Sequence, residues 1–492
     1  MPRQICFIGV VVVTLLCACS TYSKGPFWKP PESVQVKDQY TLGVVEFDDQ
    51  GWYHNPEQAS EVLNGVYREA SQQNAVIVVF VHGWHHNSEK CDQNLACFRK
   101  TLERLKAEID LPYFVEARRA FGTPDLRVIG IYVGWRGRSL PMPLDYATFW
   151  DRKPAGHRSG GSDLRDFLTR LDAMYQHLNP KGHLTGLVAV GHSFGGAVLE
   201  NSLSQEFTRS LALNLAVSGT TDLNRPEGSV GKGVYPVLEQ GRPGILEGFG
   251  DLVVLVNPAF EASLYHTVDT LARRAEYSPC QAPILMTLSA ENDGPRKRVF
   301  PLGRFFSTTQ QAVRNTEQRK QIRRAFGVYE PQHTHTLAPV PGLVGPAPAA
   351  KKVKAAGKSG ETCVCEEDFD LTTEEITRLL VHPSLRRPDP REIHLAEPSL
   401  PIAGLELKPK QPIPHDLPFL VVDTSKSVID GHNGFFNNNL IGFLVHYIGI
   451  TEAKKFLLKK DWYAGSERGR WRPEFPCTQT EEALPNRQAQ VP

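Results

Sequence analysis

A serine between glycines, Gly191-His192-Ser193-Phe194-Gly195, stands where an apolar run ends at Val190 and a helix begins after Gly196. On a tight strand-to-helix turn such a serine is strained, and its hydroxyl is held out at the edge of a sheet. A Cβ on the flanking glycines would collide with neighbouring backbone. The chemistry this suits is attack of a hydroxyl on a carbonyl. The GxSxG spacing alone is a weak signal; the strand before it and the helix after it carry the reading. A serine hydroxyl is a poor nucleophile at neutral pH and needs a base. A second group, His82-Gly83-Trp84-His85-His86-Asn87, offers three imidazoles within five residues. A metal centre there would need an Asp or Glu ligand at metallohydrolase spacing, and none follows, so neither metal nor cofactor is expected.

These residues sit at the ends of elements that the apolar pattern marks out. Tyr40–Phe47 reads as a strand, and Val62, Leu63, Val66, Tyr67 and Ala70 recur at helical spacing. Ala75–Val81 (AVIVVFV) is apolar throughout and β-branched, as a central parallel strand buried on both faces must be. Phe98, Leu102, Leu105 and Ile109 then stripe a helix. Leu126–Val133 is the next strand, Leu164 to Tyr175 the next helix, and Leu184–Val190 the strand that leads to Ser193. Further strands follow at Leu252–Val256, Ile284–Leu288 and Phe419–Val422, with helices at about 262–277 and 439–448. Strands alternating with helices predict a mostly parallel sheet covered on both faces.

The strand–helix order, with GHSFGG and HGW, resembles the α/β-hydrolase fold of lipases, esterases and their relatives, over most of residues 40–450. The resemblance implies a chain order of Ser, then Asp or Glu, then His. Asp293, in the loop after Ile284–Leu288, takes the position of the acid. Glu291 and Glu261 are its rivals. His432, between Gly431 and Asn433-Gly434 after the last strand, takes the position of the base; His415 lies before that strand and suits the role less. Two backbone amides would hold an oxyanion, one from Phe194 and one from Trp84, with Gly83 letting the chain pass close to the substrate. HGW stands where many lipases have HGGG. The expected activity is acyl transfer to water from an ester, a small molecule or a lipid. A transacylase, or a binding module that retains the fold without catalysis, is the alternative.

The composition, 41% hydrophobic and 22% charged, is that of an ordinary globular enzyme, and a formal charge of +1 over 492 residues argues against a dedicated nucleic-acid binder. Met1–Arg3 give a basic start and Ile5–Ala18 an apolar run of about 14 residues, short of the roughly 18–20 that a membrane span requires. Leu16-Cys17-Ala18-Cys19 resembles the lipobox of bacterial lipoproteins, which implies cleavage before Cys19, its acylation, and export to the outer membrane. With Cys6, Cys17 and Cys19 set aside, the other six cysteines, Cys91, Cys97, Cys280, Cys363, Cys365 and Cys477, suit disulfides in an oxidising compartment, Cys91 with Cys97 being a plausible local pair. The organisation expected is a signal peptide over 1–18, a tether over 19–38, and a first core part over 39–330. Cap insertions are expected at about 136–162 and 207–248, with Phe149, Trp150 and Phe249 as apolar lining. A flexible Pro-rich insertion over 331–418, a last core part over 419–450 and a tail over 451–492 complete the chain.

Overall fold

The computed structural model describes residues 25–111, 115, 125–138, 149–178, 184–217, 245–278, 281–342, 365, 394–396 and 401–466. In chain order its elements are β1 (Val34–Val36), β2 (Tyr40–Glu46), α1 (Pro56–Gln72), β3 (Ala75–Val81), α2 (Gln93–Ile109) and β4 (Arg127–Gly134). Then come α3 (Phe149–Ser159), α4 (Ser162–Leu178), β5 (Thr185–His192), α5 (Phe194–Val217), β6 (Leu252–Val256), α6 (His266–Ala272) and β7 (Leu285–Ala290). A π-helical turn (Pro295–Val299) leads into α7 (Phe300–Ser307), followed by α8 (Thr316–Arg323), β8 (His335–Pro339), β9 (Leu405–Pro409), β10 (Phe419–Thr424) and α9 (Asn438–Ser466).

The strands form one ten-stranded sheet in the order β1-β2-β4-β3-β5-β6-β7-β10-β8-β9. Every pairing from β2 to β8 is parallel, and only the edge strands β1 and β9 run antiparallel. The period of two in β3 explains its unbroken apolar sequence. Ala75, Ile77, Val79 and Val81 face one core with α1, α4 and α5, while Val76 and Phe80 face a second core with α2 and α9. From β3 the chain moves to β4 on one side and then to β5 on the other. The carboxyl ends of β3 and β5 therefore flank the point where the strand order reverses, the place where open α/β sheets bind ligands. His82-Gly83-Trp84 and Ser193 both lie there.

The structure draws several boundaries differently from the sequence reading. The tether is part of the sheet from β1 onward. Trp28 is buried, and the N–H groups of Phe27 and Trp28 donate to the buried carboxylate of Glu46 at 2.9 and 3.0 Å. Residues 207–217 are no cap: Leu203, Phe207, Leu211 and Leu215 repeat every four residues, so α5 runs on with that stripe in the core. Phe249 is also buried in this core rather than lining a pocket. Residues 149–159 form α3, which is fastened to α5, with Ser202 Oγ donating to Gly160 O at 2.7 Å. Residues 139–148, the side chains of Phe149 and Trp150, and residues 218–244 lie outside the described residues.

The Pro-rich insertion is shorter than expected, because its two ends are strands. β8 pairs with β10, and β9 closes the edge. Both are five residues long and end in proline, which hid them among the loops. The tail is shorter too, since α9 continues to Ser466, whereas α6 covers only seven residues of the helix expected over 262–277. Cys97 is bonded to Cys365 rather than to Cys91, which is itself in a disulfide. Asp92 caps α2, leaving Cys91 exposed before the helix while Cys97 turns inward to the second core. Cys19 and Cys363 lie outside the described residues.

Candidate active site

Ser193 occupies the turn between β5 and α5 with φ at +55°, a left-handed conformation that a non-glycine residue adopts at a cost of about 1–3 kcal/mol. The surroundings hold it there. Its N–H donates to Val256 O at 3.0 Å, and its own carbonyl accepts from Gly196 N at 3.1 Å and Ala259 N at 3.0 Å. The turn is tight enough that glycine is required on both sides. A Cβ on Gly195 would lie 2.1 Å from Val81 O, and one on Gly191 would lie 2.7 Å from Gly195 O.

His432 reaches the serine from the loop after β10. Its Nε2 lies 2.8 Å from Ser193 Oγ, and its Nδ1 lies 2.7 Å from Asp293 Oδ2. The carboxylate accepts, so Nδ1 carries the hydrogen and Nε2 presents its lone pair to the hydroxyl. Asp293 is fully buried. Burial pushes its carboxyl up, but the hydrogen bond from His432 and the charge of Arg296 outweigh it and hold the group well below the usual carboxylate range. The structure thus brings Ser193, His432 and Asp293 into one hydrogen-bonded line. Such a line can take a proton from a hydroxyl as it attacks and return it to a leaving group.

The rival acids are engaged elsewhere. The exposed Glu291 accepts from Lys426 N at 2.7 Å and so ties the β7 loop to the end of β10. Glu261 lies among Lys153 at 2.8 Å, Arg304 at 2.7 Å and His157 at 3.8 Å.

A model of the alpha/beta hydrolase family matches residues 78–392. The chain belongs to the alpha/beta hydrolase family. No curated protein and no solved structure matches it. The match opens within β3 and ends before β10, so His432 lies outside the matched residues.

The loop after β3 packs directly on the serine. A Cβ on Gly83 would lie 3.0 Å from both Ser193 Cβ and His192 Nδ1. Trp84 follows, its ring 6.0 Å from that of Phe194 and 3.9 Å from His85. Phe194 is the first residue of the 24-residue α5, where the helix dipole favours negative charge. The three histidines of this loop have separate duties. His82 bonds Gly83 O at 2.9 Å and accepts from Trp135 N at 3.1 Å, and burial lowers its imidazole to about 4. His86 bonds Asp92 at 3.1 Å, and His85, at φ +70°, stacks on Trp84.

Three residues that hold Asp293 and His432 in place escaped the sequence reading. Arg296 is buried one turn beyond Asp293; its Nε donates to Asp293 Oδ2 at 2.6 Å and its backbone N–H to Oδ1 at 3.0 Å. Asn257, at the end of β6 with φ +45°, donates from Nδ2 to the carbonyls of Gly431 at 3.1 Å and His432 at 2.9 Å. His192 Nε2 bonds the same His432 carbonyl at 2.9 Å while its ring stacks on Phe435. Burial and the neighbouring His432 hold the His192 imidazole well below its ordinary value, so it donates as a neutral ring. The only available signals were the i, i+3 spacing of Asp293 and Arg296 and the place of Asn257 at a strand's carboxyl end.

Proposed function

We propose that this chain is a serine hydrolase that cleaves carboxylic esters through an acyl-enzyme. Ser193 attacks the carbonyl while His432 takes its proton. Asp293 fixes the imidazole's tautomer and stabilises the imidazolium, and the amides of Phe194 and Trp84 hold the oxyanion. His432 then protonates the leaving alcohol, and water repeats the sequence to release the acid. The observation that carries this reading is the continuous contact from Ser193 Oγ to His432 at 2.8 Å and on to Asp293 at 2.7 Å. The Leu16–Cys19 sequence supports export with a lipid on Cys19, which would place the enzyme at a membrane and make an acyl lipid its natural ester.

The test is labelling with a fluorophosphonate probe beside Ser193→Ala and His432→Ala, followed by a p-nitrophenyl ester series. Labelling lost in Ser193→Ala, and weakened at least 10²-fold in His432→Ala, is the expected result (a positioned base contributes roughly 10²–10⁴-fold). A folded wild type that neither labels nor turns over any ester would overturn it. Radiolabelled palmitate incorporated by wild type and not by Cys19→Ser tests the anchor.

A further inference from the structure

The segment that follows Asp293 carries an unusual concentration of charge. Residues 296–324 hold nine Lys or Arg against a single acid, Glu317, in a chain whose overall formal charge is +1. Arg296 and Arg304 are held by Asp293 and Glu261, while at the segment's surface or edge Lys297 bonds Glu291 O, Lys320 pairs with Glu317 and Arg323 donates to Thr308 Oγ1. Lys297, Arg298, Arg314, Arg319, Lys320 and Arg324 are exposed.

The same segment presents an apolar ridge. Phe300 is buried under α7, and Lys153 lies over its ring at 5.6 Å, so this side of the helix is clamped to the body of the protein. Val299, Leu302 and Phe305, spaced by three, project outward with 55%, 61% and 47% of their surface exposed. Arg323 of α8 sits 4.7 Å over the Phe305 ring, and α8 has no buried residue at all. Single exposed apolar residues need no explanation, but an apolar ridge rimmed by cations on adjoining short helices does. Fringing cations with projecting aliphatic and aromatic tips are the composition of a surface that lies in the headgroup region of an anionic bilayer. Nucleic acid would satisfy the cations and give nothing to Val299 and Leu302.

From this we infer that the Pro295–Arg324 segment is a membrane-docking surface for an anionic lipid bilayer, with Val299, Leu302 and Phe305 entering the headgroup boundary and Lys297, Arg298 and Arg319 pairing with lipid phosphates. The segment leaves the carboxyl end of β7, the same end of the sheet that carries Ser193 after β5, so docking turns the Ser193 side of the molecule toward the lipid. The inference stands on the surface alone and does not require the ester chemistry.

Hydrogen exchange on the full chain tests it, with phosphatidylcholine vesicles, with the same vesicles containing phosphatidylglycerol, and with a duplex oligonucleotide. The expected result is slowed exchange confined to residues 297–307 and 316–324, seen only with phosphatidylglycerol and reversed by high salt. An anchor elsewhere in the chain would not protect these two segments. Arg298→Glu and Arg319→Glu should each weaken vesicle partitioning about fivefold or more, and Leu302→Asp should abolish the protection while leaving near-ultraviolet circular dichroism unchanged. Equal protection on both vesicles, protection by the oligonucleotide, protection that rises with protein concentration alone, or none at all would each overturn the inference.

Discussion

Arg296 and His432 converge on one oxygen of Asp293: the guanidinium Nε donates to Oδ2 at 2.6 Å and the imidazole Nδ1 lies 2.7 Å from it. Arg296 also donates to Phe326 O at 2.9 Å and Asn257 Oδ1 at 3.2 Å, and it bonds Ser289 Oγ. One buried cation therefore joins the loops after β6 and β7 and fixes the carboxylate that faces His432.

Removing that cation while keeping its bulk, as in Arg296→Met, strands a buried carboxylate and should destabilise the fold by about 3–5 kcal/mol. The sign with pH follows from the depressed carboxyl of Asp293. Its contribution is complete above the unfolded value of about 3.9 and disappears as pH falls through the lower folded value. Without Arg296 the folded value rises toward the unfolded one, so the variant should lose less further stability than wild type as pH falls below about 3.9. Urea midpoints of wild type and Arg296→Met between neutral pH and pH 3 measure both effects; equal stability at neutral pH would count against the bracing role.

Two glycines should respond to alanine in different ways. At Gly195 the added carbon would meet Val81 O at 2.1 Å, a contact with backbone that cannot swing aside, so Gly195→Ala should fail to accumulate as folded protein. At Gly83 the nearest atoms are Ser193 Cβ and His192 Nδ1 at 3.0 Å, a crowding of a few tenths of an ångström. Gly83→Ala should fold and lose turnover, on the order of 10²-fold if the serine is displaced by as much as 1 Å. Soluble yield and kcat on one ester, measured side by side, separate the two.

What could be read from the sequence divides along physical lines. The central strands were legible because burial on both faces demands continuous β-branched runs such as Ala75–Val81. Ser193, Asp293 and His432 were nameable because the α/β-hydrolase resemblance implies the order Ser, acid, His after successive strands, with Glu291 and Glu261 left as rival acids, and the structure brings these three together. Arg296, Asn257 and His192 were not, since their value lies in contacts with residues far away in the chain: Asn257 meets Gly431 and His432 only after the sheet has formed. The edge strands β8 and β9 failed for another reason. Five residues ending in proline carry too little periodicity to distinguish a strand from a loop.

Acid should weaken the fold through buried histidines. Burial lowers His82, His157 and His335 to about 4, below the unfolded value of about 6.5. Between those limits the unfolded chain binds a proton that the folded chain does not, so stability falls as pH falls from about 6.5 to about 4. Each such group adds up to about 1.4 kcal/mol per pH unit to the slope. His157→Gln, at a partly exposed position on α3, should flatten the slope by one group's share. Denaturation series across that window supply the comparison, and an unchanged slope would remove His157 from the set.

Asn257 offers the sharpest distinction between positioning and mere structure. Its amide nitrogen holds the carbonyls of Gly431 and His432, while its amide oxygen accepts from Ala290 N at 2.8 Å and from Arg296. Asn257→Asp keeps the shape and the accepting oxygen but loses both donor contacts, and it places a second carboxylate near Asp293. The base loop is then held by His192 alone at the His432 carbonyl. The expected outcome is a fall in kcat on the order of 10²-fold with KM little changed, because the misplaced imidazole costs the transition state more than the ground state. A rise in KM at constant kcat would mean that Asn257 shapes the binding surface instead.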